Sequence, residues 1–381
     1  MNVNEIEQEA DAAAAAKDFA CALRLLEKAV LAPEASVELW MKLTAMRRAS
    51  GDDAGALKAV ERALALSPLD FSALLSRALL LERVGDERAG EAFGHAMAQA
   101  PPDERIPPHL SKAVEHARLK AAEHQAMVER SLSSAIPAAL EFTARHRAER
   151  FVSNASRRTR HFHQEPTHFH YPGLPEIEFH DRDQFPELDL LEAATSAIRR
   201  EFDELIAAEA TEMVPYIQYP DYAPLPQGRE LNNNRDWTAI HLWQNGVRIE
   251  ANARHCPQTM EVVAKLPQPK VSGASPNAMF SLLAPRTRIP PHTGVANTRL
   301  VCHLPLIIPP NCGFRVGATT RQWEVGKAFI FDDTIEHEAW NDSDELRVVL
   351  IVDLWPPALG IAERETVAAV MGAAVVSFNG V

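Results

Sequence analysis

The chain has 381 residues, which at about 150 residues per domain predicts two domains. Hydrophobic residues make up 46% of the chain and charged residues 24%, so full cores can form and wholesale disorder is excluded. The formal net charge of -13 opposes the basic surface that phosphate binding needs, so we expect no nucleic-acid partner.

The cysteines and the apolar stretches bear on location. The four cysteines contain no CxxC pair, which argues against a disulfide framework and a thiolate zinc site and favours a reducing, cytoplasmic location. The first residues lack the basic and apolar regions of a signal peptide, and the most apolar later stretch, residues 367–378, is too short to cross a bilayer. We therefore expect no signal peptide and no membrane span.

A repeat occupies the first hundred residues. Residues 16–33, 50–68 and 84–101 each contain a turn, a helix rich in small residues and a closing proline. Lys17, Gly51 and Gly85 mark the turns at a spacing of 34 residues, and this period resembles the tetratricopeptide repeat. The resemblance implies a solenoid of helix pairs with a groove for a partner. The alternative is an Ala-rich helical bundle with an accidental period.

Composition changes along the rest of the chain. Residues 102–150 have polar helical sequence, and residues 161–226 are rich in proline and aromatic residues, which is typical of docking loops. After Asp236, short runs with a two-residue period predict an all-β sandwich or barrel. We predict a multidomain α + β protein with helical repeats and a capping helix at 1–130, a connecting segment at 131–170, a β domain at 171–360 and a helical tail at 361–381.

Fifteen histidines raise the question of a metal site. The run HFH puts His161 and His163 on one side of an extended chain, where they and the nearby His168 and His170 are one candidate clamp. A tract bounded by arginine and proline is more typical of an ordinary loop, and we favour that interpretation.

A second constellation lies in the β half. His292 stands at the mouth of a strand, His337 follows in FDDTIEHEAW, and Arg347 begins the apolar strand RVVLIVDLW. Two histidines from different strands of a jelly-roll barrel can bind one iron and leave positions open for oxygen and a bidentate oxyacid. A buried arginine needs an anion, because burying its charge unpaired is costly. We expect Arg347 to bind the distant carboxylate of that acid.

Neighbouring strands add residues to this constellation. The strand that follows Arg299 alternates, which puts Arg299, Val301 and His303 on one face and apolar residues on the other. Ser281 lies on the strand MFSLLA, and its hydroxyl can reach the same anion. The alternatives are that Ser281 is an ordinary strand hydroxyl, His303 a core residue and Arg299 a solvated edge charge.

The β half resembles the aspartyl/asparaginyl β-hydroxylase family of Fe(II)- and 2-oxoglutarate-dependent dioxygenases. Three runs carry the resemblance: DWTAIHLWQNG (236–246), HTGVANTRLVCHLPLIIP (292–309) and GKAFIFDDTIEHEAWNDSDELRVVLIVDLWPP (326–357). It covers residues 171–357, and members of the family commonly carry helical repeats on the N-terminal side of this domain. The fold that it implies is a double-stranded β-helix, that is, a jelly-roll, cupin-like domain.

The resemblance also implies a ligand set. His292 and His337 match the two iron ligands, while Gly294 stands where most 2-oxoglutarate dioxygenases carry a carboxylate. Fe(II) would then be held by two protein ligands. Asp332 and Asp333 are expected to lie outside the ligand set, as supporting or turn residues.

Further roles follow from the same resemblance. Arg347 matches the residue that pairs with the far carboxylate of 2-oxoglutarate, with Ser281 and His303 as supporting contacts. Arg299 matches a position that faces the substrate, where it would hold a carboxylate. Val301 departs from the animal peptide hydroxylases, which carry a further basic residue there, so substrate identity stays open.

The implied reaction uses Fe(II), 2-oxoglutarate and O2 to hydroxylate an unactivated carbon. We expect this to be the β-carbon of an Asp or Asn residue in a peptide or protein that the repeats recruit. The alternatives are a small molecule or lipid precursor as substrate, or a non-catalytic tetratricopeptide adaptor with a degenerate, metal-free barrel.

Overall fold

The structure, a computed structural model, describes residues 3–208, 211–220, 222, 227 and 229–377. The chain divides into two compact units, Met1–Thr159 and Arg160–Val381. A helix long and apolar enough to cross a membrane does not occur among the residues described.

The first unit is built from helices. They are α1 Val3–Ala15, α2 Phe19–Ala29, α3 Val37–Ala49, α4 Asp53–Leu66, α5 Phe71–Arg83, α6 Ala89–Ala98, α7 Ser111–Ser134 and α8 Phe142–Ala155. Consecutive pairs α1–α2, α3–α4 and α5–α6 pack together, and each pair contacts the next through α2–α3 and α4–α5. Helices α1, α3 and α5 begin at residues 3, 37 and 71, so the structure has the 34-residue period of the sequence.

The turn within each helix pair contains one residue with the same left-handed backbone conformation. Lys17, Gly51 and Gly85 have positive φ values of 65°, 82° and 72°. The aspartate that follows the first two then begins the next helix, since Asp18 and Asp52 accept hydrogen bonds from backbone N–H groups three residues on. The predicted turn positions are therefore confirmed.

The second unit combines helices with two antiparallel sheets. Its helices are α9 Leu188–Ala193, α10 Thr195–Ala207, α11 Glu250–Ala253, α12 Pro257–Val263 and α13 Ile361–Ser377. Its strands are β1 Val214–Pro215, β2 Trp237–Gln244, β3 Val247–Arg248, β4 Ala278–Leu283, β5 Thr287–His292, β6 Leu300–Ile307, β7 Cys312–Val316, β8 Thr319–Arg321, β9 Phe329–Phe331, β10 His337–Asn341 and β11 Arg347–Leu354.

The strands form a large and a small sheet. The large sheet has the order β1-β2-β4-β11-β6-β9, with β3 paired to β2, and the small sheet has the order β5-β10-β7-β8. Helical repeats that precede an antiparallel β domain confirm the predicted multidomain α + β organisation.

Alternation along the large sheet separates two cores. One face, which includes Phe280 and Leu350, packs with α9, α10 and α12. The opposite face, which includes Val301 and Ile351, packs with residues of the small sheet such as Phe314. We call this second face, which packs with the small sheet, the inner face. Because side chains alternate along a strand, it also carries the polar side chains that lie at the start of these strands or within them. The predicted alternation of the strand after Arg299 is confirmed.

Candidate active site

Two histidines face each other inside the small sheet. His292 ends β5 and His337 begins β10, and these residues are direct partners in the antiparallel register. Their ring centroids lie 4.1 Å apart. His292 Nδ1 is 2.8 Å from the carbonyl oxygen of Pro290, and His337 Nδ1 is 3.1 Å from that of Ile335.

These hydrogen bonds define the state of both rings. A carbonyl oxygen only accepts, so each Nδ1 carries the hydrogen and each Nε2 keeps a free lone pair. Burial lowers the pKa of His292 and His337, which keeps both rings neutral at pH 7. Two neutral imidazoles oriented by backbone carbonyls are a suitable donor set for a transition metal.

Gly294 leaves room that another residue fills. A Cβ atom on Gly294 would lie 2.2 Å from Asp333 Oδ2, so the Asp333 carboxylate occupies the space of a side chain at position 294. Asp333 Oδ1 is buried without a hydrogen-bond partner. Among the described residues, no third histidine, cysteine or carboxylate lies at ligand distance from both His292 and His337.

Arg347 is a buried cation with an unsatisfied charge. It is 2% exposed, and its Nη1 atom is 3.4 Å from both the carbonyl and the hydroxyl oxygen of Ser281. Its guanidinium lies 5.0 Å above the ring of Trp323, and its Nε atom has no partner. In the described ranges no carboxylate forms an ion pair with it. Burial lowers the pKa of Arg347 to about 10, so it is still charged at pH 7.

Two tryptophans orient the residues beside Arg347. Trp237 Nε1 donates to Ser281 Oγ over 3.1 Å, and Trp323 Nε1 donates to His303 Nδ1 over 3.3 Å. Burial and the charge of Arg347 lower the pKa of His303 well below its usual value, so its ring is neutral. Because Nδ1 accepts from Trp323, the hydrogen of His303 is on Nε2 and can be donated to an anion.

Arg299 lies on the inner face, as predicted, and is already paired. Its Nη2 atom is 2.9 Å from Asp333 Oδ2, and its Nη1 atom is 3.1 Å from Asp353 Oδ1. Burial opposes its charge, but Asp333 and Asp353 raise the pKa of Arg299 above its ordinary value. The predicted substrate contact of Arg299 stays a prediction, and its structural contact is with these two carboxylates.

A segment outside the predicted site is hydrogen-bonded to the loops next to His292 and His337. Residues 164–171, which we call the strap, bond to the loop after His292 through Thr167 N and Gly294 O at 2.9 Å. They bond to the loop before His337 through Glu165 N and Thr334 O at 2.8 Å. The sequence predicts a connecting segment and docking loops here.

Side chains reinforce the strap. Gln164 donates to Asp332 Oδ2 and accepts from Asn297 Nδ2 over 2.9 Å. Asp332 also accepts from the backbone and hydroxyl of Thr334, at 2.9 and 2.6 Å, which confirms its role as a turn residue.

Sequence reasoning also missed two aromatic residues. Trp323 holds His303 and covers Arg347. Tyr216, from β1, stacks on Trp237 with ring centroids 3.9 Å apart and an 8° interplanar angle. Their short sequence context carries no motif, so only the fold identifies them.

The part of the chain that carries this site is similar to a known protein family. Residues 192–357 match the model of the family described as aspartyl/asparaginyl beta-hydroxylase. The human aspartyl/asparaginyl beta-hydroxylase is 38% identical over 148 residues, which are 38% of this chain and 19% of that protein. The ornithine lipid ester-linked acyl 2-hydroxylase of Rhizobium tropici is 34% identical over 191 residues, 49% of this chain and 63% of that protein.

Solved structures also resemble parts of this chain. The Sgt2 TPR domain from Aspergillus fumigatus is 21% identical, with a TM-score of 0.28, and the match covers 36% of this chain and 87% of that domain. The chain thus spans less than two thirds of the length of the two hydroxylases named above. The family match and these relatives show that residues 192–357 are similar to the aspartyl/asparaginyl β-hydroxylase family.

Proposed function

We propose that the chain is an Fe(II)- and 2-oxoglutarate-dependent hydroxylase that uses O2. The observation that carries the proposal is Arg347, a buried cation without a carboxylate partner among the described residues, beside a pair of metal-competent histidines. An isolated buried charge is costly unless a ligand pairs with it. A molecule with a carboxylate at one end and a chelating 2-oxoacid at the other satisfies both features.

The residues then have separate tasks. His292 and His337 would bind Fe(II) through Nε2, and Arg347 would pair with the distal carboxylate of 2-oxoglutarate. The Ser281 hydroxyl and His303 Nε2 would donate to the same carboxylate. Bound iron would supply oxygen activation and removal of hydrogen from the substrate carbon. The two facing sheets would form the double-stranded β-helix of a jelly-roll, cupin-like domain.

The reaction also needs a protected space. Apolar residues from both sheets surround the candidate site, and Val301, Phe314 and Ile351 are buried. Such walls exclude water and strengthen the electrostatic contacts to a bound anion. The chain would thus provide orientation and a dry cavity.

Our first candidate substrate is the β-carbon of an Asp or Asn residue in a peptide or protein. The family match and the name of the human relative support this choice. The helix pairs of Met1–Thr159 give it further support, because stacked helical repeats present extended surfaces that bind partner chains.

Arg299 favours a second candidate, an acyl group of a lipid or small molecule. Its charge is paired with Asp333 and Asp353, and its strand neighbour Val301 is apolar, so neither offers a free cation to an acidic substrate. We expect a substrate carbon next to an uncharged ester or amide to fit beside these two residues. The Rhizobium tropici relative is named for this kind of chemistry.

The test is anaerobic titration of the purified chain with Fe(II) and 2-oxoglutarate, followed by the weak visible charge-transfer band of the chelate. We expect a band in the wild type, no band in His337→Ala, and an unchanged band in the exposed control His168→Ala. Absence of a band in the wild type at saturating iron and 2-oxoglutarate would favour the alternative of a non-catalytic adaptor.

The substrate candidates are separated by succinate production and a mass increase of one oxygen. Matched Asp- and Asn-containing peptides are compared with acyl esters and amides of similar size. Hydroxylation of a peptide alone would exclude the acyl candidate, and hydroxylation of an acyl chain alone would exclude the peptide.

A further inference from the structure

A cluster of possible ligands lies away from the paired histidines, at the start of the strap. His161 and His163 have ring centroids 4.1 Å apart, and His161 Nδ1 is 2.9 Å from His163 Nε2. On the other side of the second ring, His163 Nδ1 is 3.2 Å from Glu176 Oε2. The three residues offer ligand atoms that all lie within 4.8 Å of one another.

The backbone of this cluster is held in place. Phe162 points to the opposite side from its two neighbours and packs against the core between the sheets. The guanidinium of Arg160 lies 4.3 Å from its ring centroid and that of Arg315 lies 5.7 Å away. Two histidines that flank an anchored residue in an extended chain must project to the same side.

The carboxylate is held as well. The backbone N–H of Gln164 donates to Glu176 Oε1 over 3.0 Å, so Glu176 is fixed beside the His163 ring. Three side chains from two chain segments therefore meet on a supported scaffold, although each of the three is exposed.

The chemistry of this set suits a transition metal. Zn²⁺ binds imidazole nitrogen and carboxylate oxygen at about 2.0 to 2.2 Å, and three protein ligands plus water complete its tetrahedral shell. Ligand atoms around such an ion are separated by roughly 3.3 Å. Here one ligand atom from each of the three residues lies within 4.8 Å of the other two. We propose that His161, His163 and Glu176 form a second metal site, which binds Zn²⁺ and is independent of His292 and His337.

The position of the site suggests what the ion does. The strap lies between the two histidines and Glu176 in the chain, and it bonds to the loops that carry His292 and His337. An ion shared by residues 161, 163 and 176 closes the loop that contains the strap. A closed loop has less conformational entropy in states where the strap is detached. The ion therefore favours the state in which the strap is bonded to both loops.

The experiment is calorimetric titration of the full chain with Zn²⁺ at pH 7.5. We expect His163→Ala to lose one equivalent of tight binding and Glu176→Gln to bind that equivalent at least about tenfold more weakly. The matched control His168→Ala/His170→Ala changes two neighbouring exposed histidines and should leave the stoichiometry unchanged. Equal stoichiometry in the wild type and in His161→Ala/His163→Ala would overturn the proposal.

A variant that lacks both paired histidines separates Zn²⁺ binding at this site from Zn²⁺ binding at His292 and His337. In His292→Ala/His337→Ala the Zn²⁺ equivalent should remain, whether or not the chain is a dioxygenase, and adding His163→Ala should then remove it. In the same background Zn²⁺ should slow hydrogen exchange of residues 164–171 severalfold, and only when His163 is present. Loss of all Zn²⁺ binding in His292→Ala/His337→Ala would refute the second site, and unchanged exchange would refute its effect on the strap.

Discussion

At the scale of single residues, Arg347 has the largest expected effect on the stability and ligand binding of the candidate site. It is a charged group that is 2% exposed, and its Nε atom has no partner. Such a group destabilises the ligand-free protein and stabilises a complex with an anion, because the anion provides the missing charge. Stability and ligand binding are therefore expected to change in opposite directions when the charge is removed.

We predict that Arg347→Met stabilises the ligand-free protein, or leaves its stability unchanged, and weakens 2-oxoglutarate binding by at least about thirtyfold. Thermal unfolding with and without 2-oxoglutarate measures both effects, since a ligand that binds the folded state raises the melting temperature. The control Arg288→Met removes an arginine that is 63% exposed. A variant that keeps the full 2-oxoglutarate shift would contradict the role of Arg347.

His180 makes a pH-dependent contribution to stability. Burial lowers its pKa to about 4, from 6.5 in the unfolded chain. Between these values the unfolded chain binds the proton and the folded chain does not, so its contribution is complete above pH 6.5 and is lost as pH falls towards 4. The expected loss is up to about 3 kcal/mol.

We predict that His180→Phe unfolds with a smaller dependence on pH between 6.5 and 4 than the wild type. Urea unfolding monitored by tryptophan fluorescence reports mainly on the second unit, because five of the six tryptophans follow residue 236. Carboxylates titrate alike in both proteins, so the difference isolates His180. Parallel pH profiles would show that its ring is not held neutral.

At the scale of elements, strand register builds the site. Antiparallel pairing places His292 directly opposite His337, and β11 carries Arg347 opposite the end of β4. A register shift lies between His337 and Ala339, at the point where the histidine turns towards its partner. The strap then connects the loops that these strands leave open.

We predict that Asn297→Ala loosens the strap. Asn297 is 1% exposed, accepts from Tyr171 N over 2.7 Å, and donates to Gln164 and to the carbonyl of Tyr171 over 2.9 Å each. Its loss leaves buried polar groups unpaired, at a cost of about 1 to 3 kcal/mol. Hydrogen exchange of residues 164–171 should accelerate by roughly tenfold or more, while that of β11 should not change.

The surface substitution Gln258→Ala serves as the control for Asn297→Ala. An unchanged exchange rate in the strap of Asn297→Ala would mean that the backbone bonds alone hold it.

At the scale of the whole molecule, each unit has its own hydrophobic core. Ala56 and Leu81 belong to clusters made only of residues from Met1–Thr159. Phe280 and Val349 belong to clusters made only of residues from Arg160–Val381. Separate cores are the physical basis of separate folding.

We predict that each unit folds when it is expressed alone. Residues 1–159 should give a cooperative helical unfolding transition, because repeat stability comes from each pair and its neighbours. Residues 160–381 should bind 2-oxoglutarate with Fe(II) within about threefold of the full chain. Circular dichroism and the charge-transfer titration measure these outcomes, and a molten second fragment would contradict the separation of the cores.

The sequence by itself determined the periodic features. The 34-residue period, the turns at Lys17, Gly51 and Gly85, and the alternation of Arg299, Val301 and His303 follow from local backbone geometry, which residue order specifies directly. The strand context of His292 and His337 predicted that they share one site, the motif resemblance agreed, and the strand register brings the two rings together.

Only the tertiary structure decided which charges meet. Arg299 bonds to Asp333 and Asp353, which are 34 and 54 positions away, and Gln164 bonds to Asp332 across 168 positions. No period or motif encodes such contacts, because they depend on which loops the packed sheets bring side by side. For the same reason the sequence did not predict the strap or the contact between His163 and Glu176.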